Sequence, residues 1–219
     1  MAGPMTAGSV TDRSRSRAFV SDDLRWAGLL FVLLATSFLA VTMLAASVAP
    51  GYDFHAAAIS DLGVIPETAL LFNGLLVVIG LTNIAAGHVL YGRRHHPVLL
   101  ATHLLAGVGA VGAGLFPLTT GALHSIFALL AFVFINLEVI GSAALLTGPM
   151  RVLGLAAGML GAAYAVLMVI GDSGNTAVFG PFGHGGSERM IAYPAMLWLL
   201  AFGGYLMAHP APNEEPADS

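Results

Sequence analysis

The 219-residue chain is 57% hydrophobic and only 9% charged, carries a net charge of −4 and has no cysteine. A soluble domain of this size holds about a quarter charged residues, so lipid, not water, is the solvent that fits. Disulfides, thiol nucleophiles and thiolate metal sites are excluded, and the short Arg clusters beside apolar runs make no nucleic-acid surface.

The chain opens on a polar stretch, 1–24, rich in Ser and Arg, which composition assigns to disorder. A bilayer core of about 30 Å needs roughly 20 apolar residues in helix. Six runs qualify, at about 26–48, 69–91, 98–115, 123–147, 152–171 and 188–208. The apolar run ahead of Ser47-Val48-Ala49 is too long for an ordinary signal peptide, so the first run is read as a span. Short connectors predict antiparallel neighbours in one bundle. The fold expected is therefore all-α, a six-helix transmembrane domain over 25–208, followed by an acidic tail, 209–219, with Glu214, Glu215 and Asp218.

All eight basic residues are arginine. Arg13, Arg15, Arg17, Arg25, Arg93, Arg94 and Arg151 fall on one side of a six-span topology and Arg189 on the other. The positive-inside rule then puts both termini in the cytoplasm of a multi-pass cell-membrane protein. Gly154 and Gly158 form a GxxxG, and Ala106, Ala110 and Gly114 a small-residue stripe. Both patterns signal close helix packing.

On this topology the acids outside the tails gather at the outer face, Glu138 excepted. The first outer loop carries Asp53, His55, Ser60 and Asp61, the second leads through Phe116-Pro117 to His124, and the third runs from Asp172 to His184, Ser187, Glu188 and Arg189. Each has a bland reading as well. Asp61-Leu62-Gly63 suits a turn with a left-handed glycine, Ser187 suits an N-cap, and Asp172 and His184 suit solvated loop positions. In a helix His55 and Asp61 stand about 240° apart, so chemistry there requires an extended loop in which Asp53, His55 and Asp61 share a side. The glycines of 180–186 let a loop fold tightly over the bundle mouth and form no P-loop, since the Lys is missing.

Within the fourth span, His124, Ala128, Ala131, Ile135, Glu138 and Ser142 follow helical spacing, with His124 and Glu138 about 40° apart on the wheel. An acid in a span is costly and should face a partner inside the bundle. Asn83, His88 and His103 are the candidates at that depth.

The order of His55-x-x-x-Ile59-Ser60-Asp61-Leu62-Gly63, Gly114-x-Phe116-Pro117 with His124, and Gly186-x-Glu188-Arg189 resembles the bacterial and archaeal membrane family called domain of unknown function 998. The resemblance spans about 25–208, implies a six-span fold and assigns no activity. By matching positions it singles out His55, Ser60, Asp61, Phe116, Pro117, His124, Glu188 and Arg189.

Four functions compete. The leading one is a membrane-embedded hydrolase or transferase acting on a lipid or lipid-linked substrate at the outer face, with His55, Ser60, Asp61, His124, Glu188 and Arg189 as catalytic candidates. In it, Arg189 suits a phosphate or carboxylate headgroup. A divalent metal could sit on His55, Asp61, His124, Asp172 and His184, although no HExxH or GxSxG motif is present. The second is a sensor, scaffold or accessory subunit, and the third a small-molecule or ion transporter using Glu138. Haem between His88 and His103 is the weakest, since His124 has no mate. Oligomeric state is left open.

Overall fold

The computed structural model describes residues 8–92 and 96–208, with side chains in the first helix from Asp22 on. Six long helices follow one another: α1 (Gly8–Val48), α2 (Ala69–Tyr91), α3 (Pro97–Leu115), α4 (Ala122–Ala144), α5 (Gly148–Asp172) and α6 (Gly183–Ala208). All six are long and apolar enough to cross a bilayer, and no strand occurs among the described residues. α1 begins inside the stretch that composition assigns to disorder. Arg93, Arg94 and the acidic tail lie outside the described residues, as do the side chains of Arg13, Arg15 and Arg17.

The helix ends follow local chemistry. Pro97 and Pro149 occupy first turns, where a missing N–H leaves no bond unmade. Gly121 and Gly148 turn the chain with φ of 63° immediately before α4 and at the head of α5. Outward-facing Leu70, Val98, Ile126, Val152 and Val166 are strongly exposed, as a lipid-facing surface requires.

Each helix packs on the next, and α6 returns to α1, closing a ring that α4 and α6 also bridge. Two glycine pairs make close crossings. A Cβ at Gly28 would stand 2.6 Å from the Gly203 carbonyl, and one at Gly80 2.6 Å from that of Gly107. Such contact lets backbones approach where no hydrophobic force draws helices together in lipid. The GxxxG works likewise: Gly154 lies against Ala143 and Trp198, and Gly158 against Ile140.

The stripe on α3 divides: Gly114 packs closely on the Asn73 carbonyl of α2. Ala106 and Ala110 border a void inside the ring instead of filling a contact. Ala113 on α3 and Ala128 and Ala131 on α4 border the same void. Small side chains facing each other leave space that Leu or Phe would have closed.

Candidate functional site

The ends of the bundle differ. At the end carrying the α1–α2, α3–α4 and α5–α6 connections, residues 49–68 fold across the ring. Two glycines on α6 receive that loop. Gly183 has φ of 65°, and a Cβ on Gly185 would collide with the Ala57 and Phe54 carbonyls. The Gly185 amide donates to the His55 carbonyl at 2.9 Å. The segment expected to fold over the mouth, 180–186, is therefore not that loop: residues 49–68 cover the mouth, and α6 starts at Gly183, four residues before Ser187. Ser187 is accordingly no N-cap; it is buried within α6 with its hydroxyl unpaired. Glycine's low helix propensity is overridden by this backbone-to-backbone contact.

Arg189 anchors the loop. Its Nη1 donates to the carbonyls of Phe54 (3.1 Å), Ala57 (3.1 Å) and Gly185 (2.7 Å). Its Nη2 donates to the Tyr52 hydroxyl at 2.5 Å. The guanidinium also sits 4.6 Å from the Phe54 ring centroid and 5.5 Å from that of Tyr52, within cation–π reach. Tyr52 in turn donates to the Ala58 carbonyl at 2.7 Å, which needs the neutral phenol. Burial pushes the Tyr52 phenol up to about 12, against the opposing pull of Arg189. The fork that suits a headgroup is thus spent on backbone carbonyls of its own chain.

The loop's acidic residues divide. Asp53 accepts from the His55 amide at 2.9 Å in an Asx turn, with both residues exposed. Asp61 lies in a short 3-10 helix, Ile59–Gly63, and accepts from the Ala58 amide at 2.8 Å. The extended arrangement that would have put Asp53, His55 and Asp61 on one side is therefore absent, because the chain coils at Ile59. Gly63 does not take positive φ; it is packed against Asn73, which donates to its carbonyl at 2.8 Å.

Beneath this lid, Ser60, His124 and Glu188 converge. One Glu188 carboxylate oxygen accepts the Ile59 amide, tying α6 to the short helix. His124 is buried, and its Nδ1 donates to the Phe116 carbonyl at 2.8 Å. That bond keeps a proton on Nδ1, so that in the neutral ring the Nε2 lone pair is the acceptor, and Nε2 has no partner. Ser60, His124 and Glu188 border two spaces at once. One is the apolar void within the ring, about 90 Å³. The other is a crevice of about 360 Å³ between α4, α5, α6 and the short helix, where Asp61, Asp172 and His184 stand. Asp172 and His184 pair at 3.1 Å, partly exposed. Phe132 and Ala128 join the three polar residues in lining both spaces, and these five side chains form the neck, the border that the crevice and the void have in common. Neither Phe132 nor Ala128 was among the catalytic candidates; an apolar lining residue carries no chemical signature in a sequence.

Among the described residues no three His, Asp or Glu side chains come together to hold a metal ion. His55 stays on the exposed loop, Asp61 is engaged with Ala58, and the five proposed ligands do not make a coordination set. The donor set does not fit a metal, and no step is routed through one.

The second cluster lies deeper. Asn83 Nδ2 donates to Glu138 at 2.8 Å and to the His103 carbonyl at 3.2 Å. His103 Nδ1 is 2.8 Å from the Leu99 carbonyl and 3.8 Å from Glu138. All three side chains are buried, whereas His88 is exposed on the outer side of α2, away from them. Gly87, its neighbour, is the residue that touches His103. A haem bridge between His88 and His103 therefore has no geometry here. Asn136, which the sequence reading passed over despite being a polar residue within a span, is buried and donates to the Ile191 carbonyl at 3.2 Å.

Replacing Glu138 tests what this cluster contributes. Glu138→Gln keeps an acceptor for Asn83 and should unfold within about 1 kcal/mol of wild type, whereas Glu138→Leu should lose about 1–2 kcal/mol, as interhelical hydrogen bonds in bilayers do. Thermal unfolding in neutral detergent measures both. A Gln variant weaker than the Leu variant would show that the carboxylate itself is required.

The profile of a family described as "Protein of unknown function (DUF998)" matches residues 26–205. No curated protein and no solved structure matches the chain.

Proposed function

This chain belongs to the DUF998 family, and we propose that it works as a membrane-embedded hydrolase or transferase on a lipid or lipid-linked substrate. The observation that carries the reading is the shared neck. Ser60, His124 and Glu188 stand on the border between an apolar space that takes a few methylenes of a hydrocarbon chain and a crevice whose few polar groups can meet a head. The crevice is of the size of small-ligand sites, which begin at about 300 Å³. The Arg distribution orients this end outward, with both termini cytoplasmic, so the substrate comes from the outer leaflet of the cell membrane.

His124 supplies the base. Its free Nε2 takes a proton as the oxygen of water, or of an acceptor hydroxyl, adds to a carboxylic ester or amide carbonyl. The bond to the leaving oxygen or nitrogen then breaks, and that atom leaves with the proton from His124. Ser60 donates to the carbonyl or serves as the acceptor hydroxyl, a role its position on the border of both spaces supports.

The test uses the purified chain with a total lipid extract, followed by mass spectrometry. Wild type is expected to convert at least one lipid into its hydrolysed or transferred product. Ala128→Leu, which fills the neck without overfilling it, should remove the turnover while unfolding within about 4 °C of wild type. Undiminished turnover in that variant would sink the reading.

Transport is the second reading, because the apolar void reaches Asn83, which holds Glu138. Under it, Glu138→Gln stops solute flux in proteoliposomes, and wild type converts no lipid.

A further inference from the structure

We propose that the crevice selects a lipid with a cationic amine head and rejects anionic headgroups. The inference rests on the lipid-site reading above and adds the chemistry of the head.

Charge at the mouth is one-sided. Asp61, Asp172 and Glu188 border the crevice, together with the imidazoles of His124 and His184, and no arginine lines it. The chain has no lysine to take its place. The nearby cation, Arg189, spends both terminal nitrogens on Phe54, Ala57, Gly185 and Tyr52 and is stacked under two rings. A phosphate or carboxylate head would therefore meet Asp61, Glu188 and the Asp172–His184 pair without a guanidinium to offset them. An ammonium head meets the opposite situation, since each carboxylate attracts it in a partly water-excluded crevice where such charges count for more than in bulk water.

A second observation points to a ligand independently of the acids. His124 is 4% exposed and has an unpaired Nε2 on the same neck. An acceptor with its other nitrogen committed to Phe116 can take an N–H from an ammonium or amide head. The apolar route is present too. Leu129 and Val169, exposed on α4 and α5, form the crevice's membrane-side rim. A single alkyl chain can lie along that rim, its length among the lipid tails and its head in the crevice.

Three probes that differ only in the head decide the matter: oleylamine, oleyl alcohol and oleate. Binding to the full chain in neutral detergent is measured by native mass spectrometry. Oleylamine should bind at least about tenfold more tightly than oleate, with the alcohol between them. In Asp61→Asn/Asp172→Asn that ratio should fall below about threefold, while the alcohol binds as before. The asparagine at 61 keeps an acceptor for the Ala58 amide, so the short helix is retained. Ala128→Leu should weaken all three.

Oleate binding as tightly as oleylamine would overturn the headgroup inference and leave the lipid site standing. An amine preference unchanged in the double variant would overturn it as well. Failure of all three probes to bind would overturn the lipid site itself.

Discussion

Arg189→Ala is expected to lower the unfolding free energy by about 3 kcal/mol or more, from the loss of several hydrogen bonds to a buried charged group. Four acceptors on two stretches of chain depend on that one side chain, and two aromatic rings lose their cation. Arg189→Lys should recover less than half of the loss. An ammonium is a point donor and cannot reach three carbonyls and a phenol in the plane of a fork. Thermal unfolding in detergent gives the ranking, and an alanine variant within about 1 kcal/mol of wild type would refute the anchoring role, a loss that size being typical of any single substitution. Function should fall with stability in these variants, because the loop that Arg189 holds also delivers Ser60 and the Ile59 amide to the neck.

His124→Ala should behave in the opposite way. Lipid turnover is expected to drop about 10²–10⁴-fold, the usual share of a general base, while unfolding shifts little, since only the bond to Phe116 is lost. Added imidazole separates a chemical role from a structural one. The space left by the ring lies on the neck, so free imidazole can enter from the crevice and restore part of the rate. Loss of turnover without any imidazole rescue, together with a large fall in unfolding temperature, would make His124 a packing residue and nothing more.

The spans were plain in the sequence because hydropathy over some twenty residues reports the solvent directly. α2 occupies 69–91 and α3 97–115, against 69–91 and 98–115 expected. The pairing of Glu138 with Asn83 also followed from local logic, since an acid in a span leaves few partners at its depth. Elsewhere the reading reached its physical limit. Nothing in a sequence distinguishes a guanidinium that will meet a headgroup from one that will meet carbonyls more than 130 residues away. Alanine stripes read as packing until the other helices around them are known, and only the ring shows that the alanines of α3 and α4 border a void at its centre. Asp61 had both a turn reading and a catalytic one. The structure gives it the turn, and it still borders the crevice with its remaining capacity.

Ring closure has a consequence for how the chain is made. α1 is synthesised first and its neighbour α6 last, yet Gly28 and Gly203 must meet to close the seam. Until then the first loop has no Arg189 to hold it, and Asn136 lacks the Ile191 carbonyl. The five-helix precursor is therefore an open arc with polar groups awaiting their mates, long-range contacts being the last a chain acquires. The sixth helix acts as the keystone of the assembly. A ribosome-bound or prematurely terminated chain ending at α5 should remain sensitive to proteolysis in the first loop, and protection should arrive in a single step when α6 inserts.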